Sequence, residues 1–249
     1  MGDPTQLSIL DDAPDDPDID DDPPDRPGAP LPPFGRLQLP VGLAPCDEQA
    51  ERLFDIIEEA RERTREKDIF EQFVRAWWAA LRRFEGGEPD YMAIVESWDD
   101  PEVPELLARG FAVLQEHFVH DGGFDDLLGR TFMLCRHEWG GWKDQEFTGW
   151  ATARMMARQT LGDLEAGRLK PGDPLRLHDP ACGSGVLLLA AQSVIAEKFG
   201  REALQHVECS GQDIDDLCVT MCRIQMRMTN LRWMVAFLGM TYEEVAQDG

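Results

Sequence analysis

Residues 178–189 read His178-Asp179-Pro180-Ala181-Cys182-Gly183-Ser184-Gly185-Val186-Leu187-Leu188-Leu189, and this run decides the fold. Leu175 and Leu177 alternate with polar residues ahead of it, which predicts a short strand ending at Asp179. Gly183 and Gly185 bracket a tight turn, and Val186 to Ala191 opens a helix rich in Leu and Ala. Strand, glycine turn and helix together make a cradle of the nucleotide-holding kind. Glycine lets the backbone approach a ligand closely, and the free N–H groups of the helix start face it. A bare Gly-x-Gly occurs in many α/β turns. The full Asp-Pro-Ala-Cys-Gly-Ser-Gly run is far more specific.

Two flanking segments extend the pattern. Val207-Glu-Cys-Ser-Gly-Gln-Asp-Ile-Asp215 reads as a second strand ending in an acid and followed by a helix. An acid at the end of the second strand can accept two hydrogen bonds from a vicinal diol, so Asp213 is the candidate for a ribose. Ile214 is placed to pack on an adenine face. Upstream stand Phe124-Asp-Asp-Leu-Leu-Gly129 and Gln145-Glu-Phe-Thr148.

The run at 179–185 resembles the cofactor-binding motif of N6-adenine-specific DNA methyltransferases, particularly the methyltransferase subunits of type I restriction-modification systems. The two upstream blocks look like those that precede this motif in the family. The resemblance implies S-adenosyl-L-methionine as cofactor. Asp179, Pro180, Ala181, Gly183 and Gly185 would hold its methionine portion, Asp213 the ribose and Ile214 the adenine. Phe147 and Thr148 would close over the methionine end. Two departures stand out: Gly149 replaces the proline of the family's Phe-Thr-Pro, and Asp213 shortens by one carbon the glutamate of its Gly-Gln-Glu. Each residue also has a plainer reading. Asp179 could cap a turn, Asp213 could cap the helix starting near Asp215, and Thr148 could be an N-cap. Four blocks in family order favour the joint reading.

Enzymes of this type carry an Asn/Asp-Pro-Pro-aromatic motif after the fourth strand. Its polar groups accept hydrogen bonds from the target amine, and its ring stacks on the flipped base. None follows Asp213. Leu31-Pro-Pro-Phe34 lacks the acceptor, and Asp22-Pro-Pro-Asp25 lacks the ring; both sit in a proline-rich head with no strand before them. No catalytic residue is therefore assigned. Two strands with their helices do not complete a doubly wound sheet, so the expectation is a partial domain finished by a second polypeptide, self-association or a longer gene. The last helix is read over residues 215–239. Its Met221, Met226, Met228, Trp233, Met234, Phe237 and Leu238 give it apolar surface on more than one side, as expected if absent structure buries them.

Composition frames the partners. The formal charge is −24, opposite to what duplex DNA binding requires, since Lys and Arg neutralising phosphates dominate affinity. DNA would be reached through a partner subunit with a basic groove. The alternative is a non-catalytic regulatory or anti-restriction protein that keeps the fold; a small-molecule methyltransferase is weaker, because the motif variant is the amino-DNA type. The six cysteines show no Cys-x-x-Cys pair, so no metal is expected. Scattered thiols without a signal peptide fit a reducing cytoplasm, and no apolar run approaches a membrane span.

Along the chain, residues 1–45 hold ten Asp, two Arg and eleven prolines, a composition expected to be disordered. Residues 46–140 form a helical module. Asp47 opens a helix carrying Leu53, Phe54, Ile56 and Ile57, and Asp68 caps a second with Phe70, Phe73, Trp77 and Leu81 on one stripe. Glu85-Gly-Gly-Glu-Pro89 ends that helix. Shorter helices are read at 91–98 and 105–118. The Trp77-Trp78 pair is read as packed core rather than a base-stacking platform. His137, Glu138 and Trp139-Gly-Gly-Trp142 predict a glycine-broken turn, and a helix is read from Phe147 to about Leu164. Residues 141–249 complete the assignment: an α/β protein with a helical module followed by a partial Rossmann-like methyltransferase domain.

Overall fold

The computed structural model describes residues 47–120, 123–139, 146–170 and 172–230. The acidic head, residues 140–145 with Gln145, and the tail with Trp233, Met234, Phe237 and Leu238 lie outside the described residues. Five helices come first: α1 (Asp47–Thr64), α2 (Ile69–Leu81), α3 (Glu88–Val95), α4 (Val103–Gln115) and α5 (Leu127–Trp139). Then follow α6 (Trp150–Leu161), β1 (Leu175–Asp179), α7 (Val186–Phe199), β2 (Val207–Gly211) and α8 (Asp216–Thr229). The architecture is mostly helical with a small parallel sheet, an α/β arrangement.

The helices form where the apolar spacing demands them. In α1, Leu53, Ile56, Ile57 and Ala60 are buried, acids occupy the first turn, and Arg61 and Arg63 sit in the last, complementing the helix dipole. In α2, Phe73, Val74, Trp77 and Leu81 face the same core, and the Trp77 indole N–H donates to the Leu107 carbonyl at 3.0 Å. Trp78 differs from its neighbour. It is half-buried, with the guanidinium groups of Arg82, Arg223 and Arg227 at 5.2, 5.7 and 5.6 Å from its ring. Such stacking joins α2 to α8.

Several boundaries move. Asp68 stands at the α2 N-cap without a side-chain bond to the backbone; its carboxylate accepts instead from the Gln72 side chain at 3.1 Å. The second helix ends at Leu81, ahead of the Glu85-Gly-Gly run, and α3 begins at Glu88 because Pro89 fits a first turn. The reading at 105–118 becomes α4 plus a π-helical turn at Glu116–His120. His137, Glu138 and Trp139 belong to the end of α5 rather than to a turn, since the glycines come only at 140 and 141. His137 is exposed and pairs with Glu138 at 3.1 Å.

β1 and β2 run parallel, with Leu175 opposite Val207 and Asp179 opposite Gly211, and α7 lies between them in sequence. Leu175 and Leu177 pack against the apolar core, while Arg176 and His178 are exposed and pair across the strands with Glu208 and Ser210 at 3.1 and 2.9 Å. Helix α7 is apolar on nearly every side and is buried accordingly. Leu188 and Leu189 join the core built by α1, α2, α4, α5 and α8, while Val186, Ala190 and Val194 pack on Ala153, Ala157 and Leu161 of α6.

Helix α8 is enclosed by this chain itself. Met221, Met226 and Met228 lie in the same core as Phe73 and Leu128. These three methionines, read from the sequence as awaiting absent structure, are therefore packed in the core with the first helices.

Candidate functional site

The site grows from the end of β1. Asp179 is the last strand residue, and its Oδ1 accepts the Ala181 N–H at 3.0 Å, so the carboxylate folds the chain into the turn. Its Oδ2 is buried and has no hydrogen-bond partner. A buried carboxylate oxygen without a donor is costly, and groups of this kind mark functional positions. Gly183 and Gly185 adopt φ of +52° and +103°, the left-handed region that side chains disfavour. A Cβ on Gly185 would stand 2.8 Å from Cys222 Sγ, so the turn also needs glycine to lie against α8.

Asp213 meets the turn from the other strand. It lies two residues beyond β2, not at its end, and its two oxygens accept from the Gly183 N–H at 2.9 Å and the Asp215 N–H at 3.0 Å. Each carboxylate oxygen still has a further lone pair. The helix cap belongs to Asp215, whose side chain accepts the Leu217 N–H at 2.9 Å. The capping alternative for Asp213 is thus removed. Ile214 is fully exposed beside it, at 101%.

Phe147 comes from upstream and packs over the turn: a Cβ on Gly183 would lie 3.3 Å from its ring, which also pairs with Phe132 at 5.6 Å. Thr148 is exposed and caps nothing, because residues 146–149 are non-helical and Gly149 is the N-cap of α6. The helix read from Phe147 therefore begins at Trp150. Gly149 has φ −65° and ψ 143°, the values of the proline expected at that position, and nothing lies within 4 Å of its Cβ site. Gly149→Pro is expected to raise stability by about 0.4–1 kcal/mol by restricting the unfolded chain. A urea midpoint unchanged or lower in this variant would contradict it.

The turn is open on one side and closed on the other. Pro180, Ala181 and Ile214 are exposed, Gly183 and Asp213 half-buried, and Ser184 and Gly185 fully enclosed beneath. A concavity of about 450 Å³ lies elsewhere, between α1 and α4, lined by Arg52, Asp55, Glu59 and Arg109 among others. None of the turn residues lines it, and its lining carries charges of both signs.

Beneath the turn is a set of residues that sequence reasoning did not assign. The Ser184 hydroxyl donates to Asp126 Oδ2 at 2.5 Å. Asp126 Oδ1 accepts from the Gly129 N–H at 2.9 Å and the Gln225 amide at 2.8 Å. Gln225 also donates to the Ser184 carbonyl at 2.7 Å and accepts the Leu128 N–H at 3.1 Å. All three side chains are buried. Burial pushes the Asp126 carboxyl above the usual carboxylate range, against the pull of its donors. Only the upstream block around Phe124–Gly129 hinted at this.

The cysteines are less scattered in space than in sequence. Cys182 of the turn meets Cys222 of α8, and that contact, together with burial, raises the Cys222 thiol. Burial likewise pushes Cys209 up to about 11. Such thiols stay protonated and inert. Among the described residues, no cluster of His, Cys, Asp and Glu is arranged to hold a metal, and no helix is long and apolar enough to cross a membrane.

No curated protein and no solved structure matches the chain. Residues 147–244 match the family model described as N-6 DNA Methylase. That span takes in Phe147, the glycine turn, Asp213 and α8. The resemblance carried by residues 179–185 is thereby shown: this segment is similar to the N-6 DNA methylase family.

Proposed function

We propose that the chain is the cofactor-binding part of an adenine-specific DNA methyltransferase, with residues 141–249 as a partial Rossmann-like domain and 46–140 as the helical module packed on it. The observation that carries this reading is the buried, unpartnered Asp179 Oδ2 beside a turn held left-handed by Gly183 and Gly185. A carboxylate so placed suits the amino group of S-adenosyl-L-methionine. When bound, that cofactor supplies an electrophilic methyl group. Asp179, Pro180, Ala181, Gly183 and Gly185 hold its methionine portion, and Phe147 and Thr148 close that end. Asp213 accepts from the ribose with its remaining lone pairs, and exposed Ile214 covers the adenine.

The group that holds the target amine is not among these residues. No Asn/Asp-Pro-Pro-aromatic run follows Asp213 in these 249 residues; in this reading it comes from outside them, through a second polypeptide, self-association or the downstream part of a longer gene, together with the basic surface that a charge of −24 does not provide. Buried thiols suit a cytoplasmic setting.

The test is calorimetric titration of the full chain with S-adenosyl-L-methionine, followed by methyl transfer to adenine-containing duplex DNA, alone and with a candidate partner. Uptake of the cofactor and transfer only on mixing is the expected result. Absence of uptake by folded protein overturns the cofactor reading. Uptake without transfer in either condition replaces the enzyme with a non-catalytic regulatory or anti-restriction protein.

A further inference from the structure

The buried network under the turn has no counterpart in the cofactor contacts, yet it touches the turn twice. Ser184 sits between the two left-handed glycines, and both its hydroxyl and its carbonyl are engaged, by Asp126 and Gln225 respectively. Asp126 belongs to the entry of α5 and Gln225 to α8. The turn therefore takes its support from outside the β1–α7–β2 unit. Gly129 makes this possible. A Cβ there would stand 2.1 Å from Asp126 Oδ2 and 2.5 Å from Ser184 Oγ, so no side chain fits between α5 and the turn. Every donor and acceptor needed to hold Asp126 is present: one hydroxyl, one backbone N–H and one amide. Buried, fully satisfied networks fix one arrangement and penalise others.

We propose that Asp126 is a positioning residue for the cofactor turn, acting through Ser184, so that affinity for S-adenosyl-L-methionine is set partly from the helical module. This rests on the cofactor reading above. Asp126 does not touch the ligand. It fixes the Ser184 hydroxyl, and Ser184 in turn fixes the peptide planes on either side, those of Gly183 and Gly185. Loss of the link lets the turn sample other conformations, and affinity falls by the fraction of time the competent one is lost.

A double-mutant cycle on cofactor affinity tests the idea in the full chain. Asp126→Ala removes the carboxylate that holds Ser184, and Ser184→Ala removes the hydroxyl alone. Each is expected to weaken binding on the order of tenfold. The pair together is expected to be no weaker than the worse single variant, because both break one link. Ser193→Ala serves as control. It deletes another buried hydroxyl, bonded only to the Ala190 carbonyl of α7, and is expected to leave affinity unchanged. Amide resonances of Gly183 and Gly185 should shift in both test variants and not in the control. Additive losses, or wild-type affinity in Ser184→Ala, overturn the proposal. Failure of the wild-type chain to bind the cofactor is a different result and removes the underlying reading instead.

Discussion

Gly185→Ala is expected to destabilise the protein by about 2–4 kcal/mol, through two effects that add. The first is backbone strain, because φ at this position is +103° and an alanine held there costs on the order of 1–3 kcal/mol. The second is overpacking. The new methyl would lie 2.8 Å from Cys222 Sγ and 3.3 Å from its Cβ, with the α8 backbone at 3.4 Å, and α8 is too deeply buried to retreat freely. Denaturant midpoints measure the total. Adding Cys222→Ala removes the sulfur but leaves the strain and the close approach to the α8 backbone, so it should recover only part of the loss. Full recovery would show that the left-handed conformation costs nothing here.

Asp179→Asn should have effects of opposite sign on ligand and fold. Its Oδ1 still accepts the Ala181 N–H, so the turn keeps its geometry. The buried oxygen without a donor becomes a neutral amide nitrogen, which is cheaper to bury than a carboxylate oxygen. Stability is expected to stay level or rise. Affinity for the proposed cofactor, S-adenosyl-L-methionine, is expected to fall by about 10–100-fold, the usual size of a lost charge-assisted bond. Titration calorimetry and thermal melts on the same sample separate the two. A parallel loss of both would make Asp179 a structural residue only.

The parts of the site that are legible in the sequence are those set by local chemistry. Alternating Leu175 and Leu177, the glycines at 183 and 185 and the apolar run from Val186 each constrain the backbone within a few residues, and β1, the turn and α7 stand where these residues place them. Asp213 is recognisable as an acid after the second strand, although the strand stops at Gly211. The start of α6 falls later than the sequence suggests because Gly149 is extended, which no apolar periodicity reveals. The Asp126–Ser184–Gln225 network is out of reach for a different reason. Its bonds join residues 58 and 99 positions apart, and nothing in the neighbourhood of Ser184 announces a buried carboxyl. The same holds for Cys182 and Cys222, and for the methionines of α8, whose apolar surface is visible in the sequence while the elements covering it are not.

The enclosure of α8 has a kinetic side. Gln225 reaches back 97 positions to Leu128, and Arg227 reaches back 142 to Glu85. Contacts of such high order close large loops before they return any stabilisation, which slows folding. During translation the early helices are made first, yet the core that α8 completes has to wait until Met228 has left the ribosome. Until then Phe73, Trp77 and Leu128 lack their late partner, and a nascent chain in that state is a natural client for chaperones.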